Sequence, residues 1–113
     1  MKFYDYCAAP SPRRARIFMA EKGIEIETEQ VDLGVKAQFE PAYRAVNPRC
    51  TVPALVLDDG TVLSDNTSIA RYLEEAFPDP PLLGTTPVEK ALVAEWMSRA
   101  EGEGLLGVAE ALL

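Results

Sequence analysis

The sequence predicts an α/β fold in which a four-stranded mixed sheet is built in the order β-α-β-α-β-β-α and is followed by one long helix. Three observations support this prediction. Residues 2–7, "KFYDYC", are rich in aromatic and β-favouring side chains, and a helix-like segment follows them. An apolar–polar alternation then predicts a second strand. Further on, the short apolar runs "ALVL" and "TVL" flank the turn "DDG", which is typical of a β-hairpin.

The first helix is predicted over residues 12–22. Ser11 suits its N-cap, Pro12 suits the first helical position, and Gly23 suits the residue just past the end. One apolar face of this helix comprises Ala15, Phe18, Met19 and the stem of Lys22. The sequence therefore indicates a helix that packs this face against the sheet.

The second strand is predicted within residues 24–33, where Ile24, Ile26, Val31 and Leu33 alternate with polar residues. Residues 35–46 form a weak helical stretch that a proline interrupts. After the hairpin, residues 64–77 predict a helix with Asp65 and Asn66 as candidate caps. Its apolar residues recur at helical spacing: Ile69, Tyr72, Leu73 and Phe77.

A Pro-rich linker at residues 79–85 divides the chain into a domain of residues 1–78 and a helix of residues 86–113. "TPVE" is a capping box that starts this helix, which would be about 39 Å long from residue 88 at 1.5 Å per residue. One small domain cannot cover its apolar residues, which are Leu92, Trp96, Leu105, Leu106, Val108 and Leu112. We expect either a fragment of a longer protein or a helix that pairs with another chain.

Composition narrows the classes of partner. The net charge of −7 argues against nucleic acid and anionic membranes, which need a basic face. Two cysteines without histidine argue against a disulfide scaffold and against a zinc or haem site. The sequence shows neither a signal-peptide pattern nor an apolar run long enough to span a bilayer. These features predict a cytoplasmic protein without a metal.

Four motifs in the correct order resemble the cytosolic glutathione transferases, whose N-terminal domain is thioredoxin-like. They are "RIFMAEKGI", "NPRCTVPAL", "LSDNTSIARYLEEAFP" and, after the linker, "EKALVAEW". The resemblance covers essentially the whole chain. It implies an enzyme that binds glutathione as co-substrate and activates its thiol for conjugation to a small electrophile. It also implies a homodimer with a role in detoxification.

Pro53 opens the third strand, where proline is tolerated because it need not donate to the sheet. The resemblance implies a cis Val52–Pro53 bond beside the ligand. The main chain of Val52, with Thr51 next to it, would then pair with the cysteinyl part of glutathione as a short added strand. From the residues alone, an ordinary trans proline at a strand start is the alternative.

The resemblance also implies a clamp for the γ-glutamyl end of glutathione at Asp65 and Asn66, where the family usually has Glu-Ser. The start of a helix offers free N–H groups to a carboxylate, and Asp65 would accept from the ammonium group. Plain helix capping by either residue is the alternative. Lys36, in the loop after the second strand, is a candidate for the glycyl carboxylate.

Three residues compete for the role of holding the glutathione thiolate. Ser11 is the first candidate, because a hydroxyl that donates to sulfur stabilises the charged form. Tyr6 is the second and Cys7 the third, the latter through a mixed disulfide or a bridge to Cys50. In another alignment Ala9 takes the catalytic position and the usual hydroxyl is missing. Ser11 as a pure N-cap, and both cysteines as inert thiols, are the structural alternatives.

Two other functions stay open. A thiol-disulfide oxidoreductase would use Cys7, and a non-catalytic transferase-like module would serve in assembly or regulation. Arg13, Arg14 and Arg16 cluster at the start of the first helix, where their charges oppose the helix dipole. They are expected either to pair with acidic neighbours or to attract anionic glutathione.

Overall fold

The computed structural model describes residues 1–105 and residue 107. Its strands are β1 (Lys2–Asp5), β2 (Glu27–Gln30), β3 (Ala54–Val56) and β4 (Val62–Leu63). They form one four-stranded sheet in the order β2-β1-β3-β4. Strand β1 pairs in parallel with β2, whereas β1–β3 and β3–β4 are antiparallel. The predicted α/β fold with a mixed sheet and a β3–β4 hairpin is therefore confirmed.

The helices cover both faces of the sheet. They are α1 (Pro10–Lys22), α2 (Pro41–Val46), α3 (Asn66–Ala76) and α4 (Pro87–Arg99), with 3-10 turns at Leu33–Val35 and Ala37–Phe39. Phe3 and Leu55 face α1 and α3 within one buried cluster, and Tyr4 and Ala54 face α2 within another. This division follows from the alternation of side chains along each strand.

Helix α1 begins two residues earlier than the sequence predicts. Ala9 is the N-cap and makes no side-chain capping bond, so the prediction that Ser11 caps the helix is wrong. Pro10 and Pro12 both fit the first turn, because the first N–H groups of a helix have no partner within it. The sequence analysis placed Pro12 at the first helical position, although Pro10 suits that position equally well. Gly23 ends the helix at φ 67°, as predicted.

Strand β2 is shorter than the alternating segment that predicts it. Its four residues are all exposed, and it forms the edge of the sheet beside β1. Ile24 and Ile26 precede the strand and pack against the core, while Val31 follows it and is buried. The apolar alternation thus marks the anchors on each side of the strand.

The linker after α3 is held by a buried ion pair. The side chain of Lys22 is fully buried, and its Nζ atom lies 2.6 Å from Glu74 Oε1. Nζ also donates to the main-chain oxygens of Phe77 and Pro80, at 2.6 and 2.7 Å. The Asp79–Pro80 peptide bond here is cis, which the sequence analysis did not anticipate.

Helix α4 starts at the predicted capping box. Thr86 accepts from the N–H of Glu89, and the Glu89 carboxylate accepts from the N–H of Thr86. The predicted long helix is confirmed over the described residues, where α4 continues directly into a π-helical segment at Ala100–Leu105. Gly102 and Gly104 fall in that segment, and glycine weakens an α-helix by about 1 kcal/mol relative to alanine.

No residue of Pro87–Arg99 is buried, and the exposed side chains of α4 include Val88, Leu92 and Trp96. The predicted apolar surface is therefore present on this part of the helix. The predicted positions Leu106, Val108 and Leu112 lie outside the described residues. Within the described part of the chain, no helix meets the length and hydropathy that crossing a membrane requires.

Candidate functional site

The predicted site residues come together at the edge of the sheet that the carboxyl ends of β1 and β2 form. Strands β1 and β2 are parallel, so both end at this edge, where the antiparallel strand β3 begins. Strand β4 runs back to it and leads into α3. Tyr6, Cys7, Val52, Asp65 and Asn66 therefore leave the sheet on the same side. The predicted cis Val52–Pro53 bond is present there.

Ser11 contacts the start of α3. The Asn66 side chain is buried, and its Nδ2 atom donates to the main-chain oxygen of Ser11 at 2.9 Å and to Ser11 Oγ at 3.3 Å. Ser11 Oγ is the acceptor in this bond and donates to no other group in the described part of the chain, so its hydroxyl proton can serve a ligand. The neighbouring residues Pro10 and Pro12 lack N–H groups, so the first turn of α1 has few main-chain donors for an anion.

Asp65 is the N-cap of α3, as predicted. Its Oδ1 accepts from the N–H of Ser68 at 2.7 Å. This bond and one from the side chain of Ser68 lower the pKa of Asp65, and the positive charges of Arg49 and Arg14 add to the effect. The carboxylate of Asp65 is therefore stabilised in its anionic form at the start of α3.

Asn47 and Tyr43 hold the loop before Pro53 through hydrogen bonds. The sequence analysis did not name either residue as part of the site. The hydroxyl of Tyr43 donates to the main-chain oxygen of Thr51. Asn47 Nδ2 donates to the same oxygen at 2.9 Å and to Thr51 Oγ1 at 3.2 Å. The "NP" at the end of a predicted helical stretch was the available signal for this role, because Asn commonly bonds nearby main chain.

Tyr6 lies beside the loop after β2. The negative charge of Asp32 raises the pKa of the Tyr6 phenol, with burial and a hydrogen bond to Asp32 adding to the shift. The Asp32 carboxylate therefore disfavours ionisation of the Tyr6 phenol. Lys36 is exposed in the same loop at φ 59°, and its predicted ligand role stays a prediction.

Both cysteines are free thiols. Cys7 is exposed, and its N–H donates to Gln30 Oε1 at 2.8 Å. Cys50 is half-buried and adopts the left-handed conformation at φ 58°. The two thiols form no bridge in this structure, so the suggested Cys7–Cys50 disulfide is absent from it.

The arginine cluster is divided between two kinds of contact. Arg16 Nη1 donates to both oxygens of the buried Asp5 carboxylate at 2.7 and 2.9 Å. Arg14 Nη1 lies 3.6 Å from Glu101 Oε1, which joins α1 to the segment after α4. Arg13 is exposed. The expectation of pairing with acidic neighbours is thus met at Arg16 and Arg14.

A separate cleft of about 380 Å³ lies between α3 and α4. Arg71, Val93 and Met97 are among its lining residues, and none of the predicted site residues is. We place the candidate site at the sheet edge instead, because charged, capping and hydroxyl groups from separate segments converge there. In the described part of the chain, no cluster of three or more acidic or cysteine side chains has the arrangement of a metal site.

Comparison with known proteins identifies the class to which this fold and site correspond. Residues 8–76 match the family model of the glutathione S-transferase N-terminal domain. The chain belongs to the glutathione S-transferase family.

Particular relatives make the similarity more specific. The chain is 41% identical over 93 residues to maleylacetoacetate isomerase from Pseudomonas aeruginosa, which covers 80% of this chain and 44% of that protein. It is 37% identical over 105 residues to glutathione S-transferase 2 from Saccharomyces cerevisiae, and this match covers 91% of this chain and 45% of that protein. The chain thus spans less than half the length of these two relatives.

Solved structures agree. A glutathione S-transferase domain-containing protein from Marinobacter aquaeolei matches with a TM-score of 0.83 at 41% identity, over 89% of this chain and 50% of that one. A glutathione transferase homologue from Sulfitobacter with bound glutathione matches with a TM-score of 0.81 at 26% identity, over 88% and 48%. The thioredoxin-like fold of the transferase N-terminal domain is therefore established for this chain.

Proposed function

We propose that this chain is the glutathione-binding part of a glutathione transferase that holds the thiolate of glutathione for attack on a small electrophile. One observation carries the proposal: groups suited to the γ-glutamyl end, the cysteinyl main chain and the thiol of glutathione meet at one sheet edge. They are the main chain of Val52, the N-terminus of α3 with Asp65, and Ser11, which Asn66 joins to α3. The bound glutathione in the Sulfitobacter homologue supports glutathione as the ligand.

Each group has a distinct role in this proposal. The main chain of Val52 pairs with the cysteinyl residue of glutathione, and Thr51 flanks that contact. The first N–H groups of α3 bind the γ-glutamyl carboxylate, while Asp65 accepts from the ammonium group. Lys36 contributes a cation for the glycyl carboxylate. The site orients the thiolate, so that its reaction with an electrophile needs less ordering of the reactants.

Ser11 is the favoured donor to the thiolate. Its oxygen accepts from Asn66, which leaves its proton for the sulfur, whereas Tyr6 lies beside the Asp32 carboxylate, whose negative charge raises the pKa of the phenol. A hydrogen bond to the thiolate form lowers the thiol pKa. We expect Ser11→Ala to raise the pKa of bound glutathione, measured by the ultraviolet absorbance of the thiolate during a pH titration. Ser98→Ala, an exposed serine of α4, is the control and should leave that pKa unchanged.

Calorimetry with reduced glutathione tests the binding proposal directly. We expect a saturable heat for the wild-type chain and a weaker interaction for Asp65→Asn. A titration without saturable heat contradicts the proposal and favours a non-catalytic transferase-like module.

A thiol-disulfide oxidoreductase is the second candidate, because the free thiol of Cys7 is exposed near the same edge. In this function a Cys7 thiolate attacks the sulfur of a glutathionylated protein, takes up the glutathionyl group and releases the protein thiolate. A second glutathione thiolate then releases oxidised glutathione and restores Cys7. Loss of deglutathionylation in Cys7→Ser, with full activity in Ser11→Ala, would select it over the transferase.

A further inference from the structure

The loop before Pro53 controls the direction of one peptide group. Two side-chain donors, the Tyr43 hydroxyl and Asn47 Nδ2, converge on the main-chain oxygen of Thr51. The cis peptide bonds of the described chain are at Pro53 and Pro80, so the Thr51–Val52 bond is trans. In a planar trans peptide the C=O and N–H groups point in opposite directions. The N–H of Val52 therefore points away from Tyr43 and Asn47.

The N–H of Val52 has no acceptor within the described part of the chain. The hydrogen bonds of this loop involve main-chain groups of residues 47–50 and the oxygens of Thr51, but not the N–H of Val52. A main-chain N–H in this position can donate to a carbonyl oxygen of an extended peptide ligand.

We propose that Tyr43 and Asn47 are positioning residues that aim the Val52 N–H at the main-chain carbonyl of a bound tripeptide thiol. This inference rests on the proposed function and adds two residues to it. Neither side chain touches the ligand. Both act through the Thr51–Val52 peptide, which they fix from its opposite side.

The arrangement is built into the core. Asn47 is 2% exposed, and its polar groups are all used: its N–H donates to Tyr43 O, while its O and Oδ1 accept from the N–H groups of Cys50 and Arg49. Tyr43 is 5% exposed, and its ring packs against Tyr4 with centroids 5.4 Å apart. Burial raises the pKa of the Tyr43 phenol, so the group keeps the proton that it donates. Buried polar groups are costly unless they are bonded, and here both are bonded to one carbonyl.

Two variants remove the donors with little change in shape. Tyr43→Phe removes the hydroxyl, and Asn47→Asp removes the Nδ2 donor while keeping an oxygen for the N–H of Arg49. We expect Tyr43→Phe to weaken reduced-glutathione binding in calorimetry about 2- to 10-fold, the range set by one hydrogen bond, and Asn47→Asp to weaken it at least as much, because Asn47 Nδ2 makes two bonds to Thr51. In NMR titrations, the Val52 amide should shift less on saturation, while the Ser68 amide at the other end of the site should respond as in the wild type.

Ile69→Val is the matched control, because it loosens the other buried cluster and leaves this loop intact. It should lower the unfolding midpoint without changing the dissociation constant. Unchanged affinity and an unchanged Val52 response in both Tyr43→Phe and Asn47→Asp would overturn the inference alone. Equal loss of the Val52 and Ser68 responses would do the same, since it indicates a general structural role. No binding by the wild type would overturn the proposed function, and this inference with it.

Discussion

The Nδ2 atom of Asn66 lies 2.9 Å from the main-chain oxygen of Ser11, so a buried amide joins the first turns of α1 and α3. The Oδ1 atom of the same amide is buried and has no hydrogen-bond partner among the described residues. Asn66 thus acts as a donor that holds two helix starts together at the candidate site.

Asn66→Ala should lower the free energy of unfolding by about 1–3 kcal/mol, because it removes the two hydrogen bonds that join this buried amide to Ser11. Urea unfolding measures the change. The neighbouring Thr67 is exposed, and Thr67→Ala should change the free energy of unfolding by less than about 0.5 kcal/mol. Equal effects of the two variants would contradict the structural role of the amide.

Asp65→Asn separates helix capping from ligand binding. Asparagine caps helices about as well as aspartate, so the free energy of unfolding at neutral pH should change by less than about 1 kcal/mol. The affinity for glutathione should fall at least about tenfold, because a charge-assisted bond to the ligand ammonium is lost. Asp65→Ala is the comparison, since it removes the cap and the charge together. If Asp65→Asn kept the full affinity for glutathione, Asp65 would act only as a helix cap and would not bind the ligand.

Lys22→Met should lower the free energy of unfolding by about 3–5 kcal/mol, because it leaves the half-buried Glu74 carboxylate without its cation. Hydrogen exchange should also speed up at the amides of Leu82 and Leu83, which donate to Glu74 and hold the linker. Lys90→Met, at an exposed lysine of α4, should change neither quantity. A loss below about 1 kcal/mol would contradict a linker held by this ion pair.

Stability should fall in acid through Glu74 and Asp65. Burial opposes the charge of Glu74, but hydrogen bonds from Lys22 and from the N–H groups of Leu83 and Leu82 outweigh it and lower the pKa below 4.5. The bonds from Ser68 lower the pKa of Asp65 below 3.8. A lowered pKa gives stability that is full above the ordinary value and is lost as the pH falls through the folded-state value.

The free energy of unfolding should therefore stay level from neutral pH down to about 5 and decrease below 4.5. Urea unfolding at a series of pH values measures this profile. Glu74→Gln should flatten the acid limb while lowering the stability at neutral pH. A profile with the same acid slope in the variant would show that other carboxylates dominate.

Cys50→Gly should raise the free energy of unfolding by up to about 1 kcal/mol, because Cys50 is held at φ 58°, where glycine is unstrained. Cys50→Ala is the control, since it removes the thiol and keeps the unfavourable conformation, so no gain is expected. Thermal unfolding of the three proteins distinguishes these outcomes. A gain in both variants would assign the effect to the thiol instead of the main chain.

The local features of this fold were predictable because their causes lie within a few residues. The hairpin around Asp59–Gly60, the Asp65 cap and the Thr86–Glu89 capping box all follow from short patterns. The start of α1 was not predictable by the same means, because Pro10 and Pro12 satisfy the same rule. The decision between them depends on packing beyond the local sequence.

Long-range contacts account for the other differences. The sequence placed Lys22 on an apolar face, but it did not show that carbonyls more than 50 residues away would bind its ammonium group. The role of Asn47 likewise depends on how the loop folds back onto α2. The residues that carry chemistry were recognised by type and family pattern, whereas those that orient them became visible only through their hydrogen bonds.

Trp96 is the single tryptophan of the chain, and it lies on the outer face of α4, 61% exposed, with Arg99 stacked 4.3 Å from its ring centroid. Because the indole is already exposed, we expect its fluorescence to change little when the sheet unfolds. The same emission would shift toward the blue when any protein surface covers that helix. The fluorescence of Trp96 would therefore report on assembly. Circular dichroism is the better signal for following denaturation.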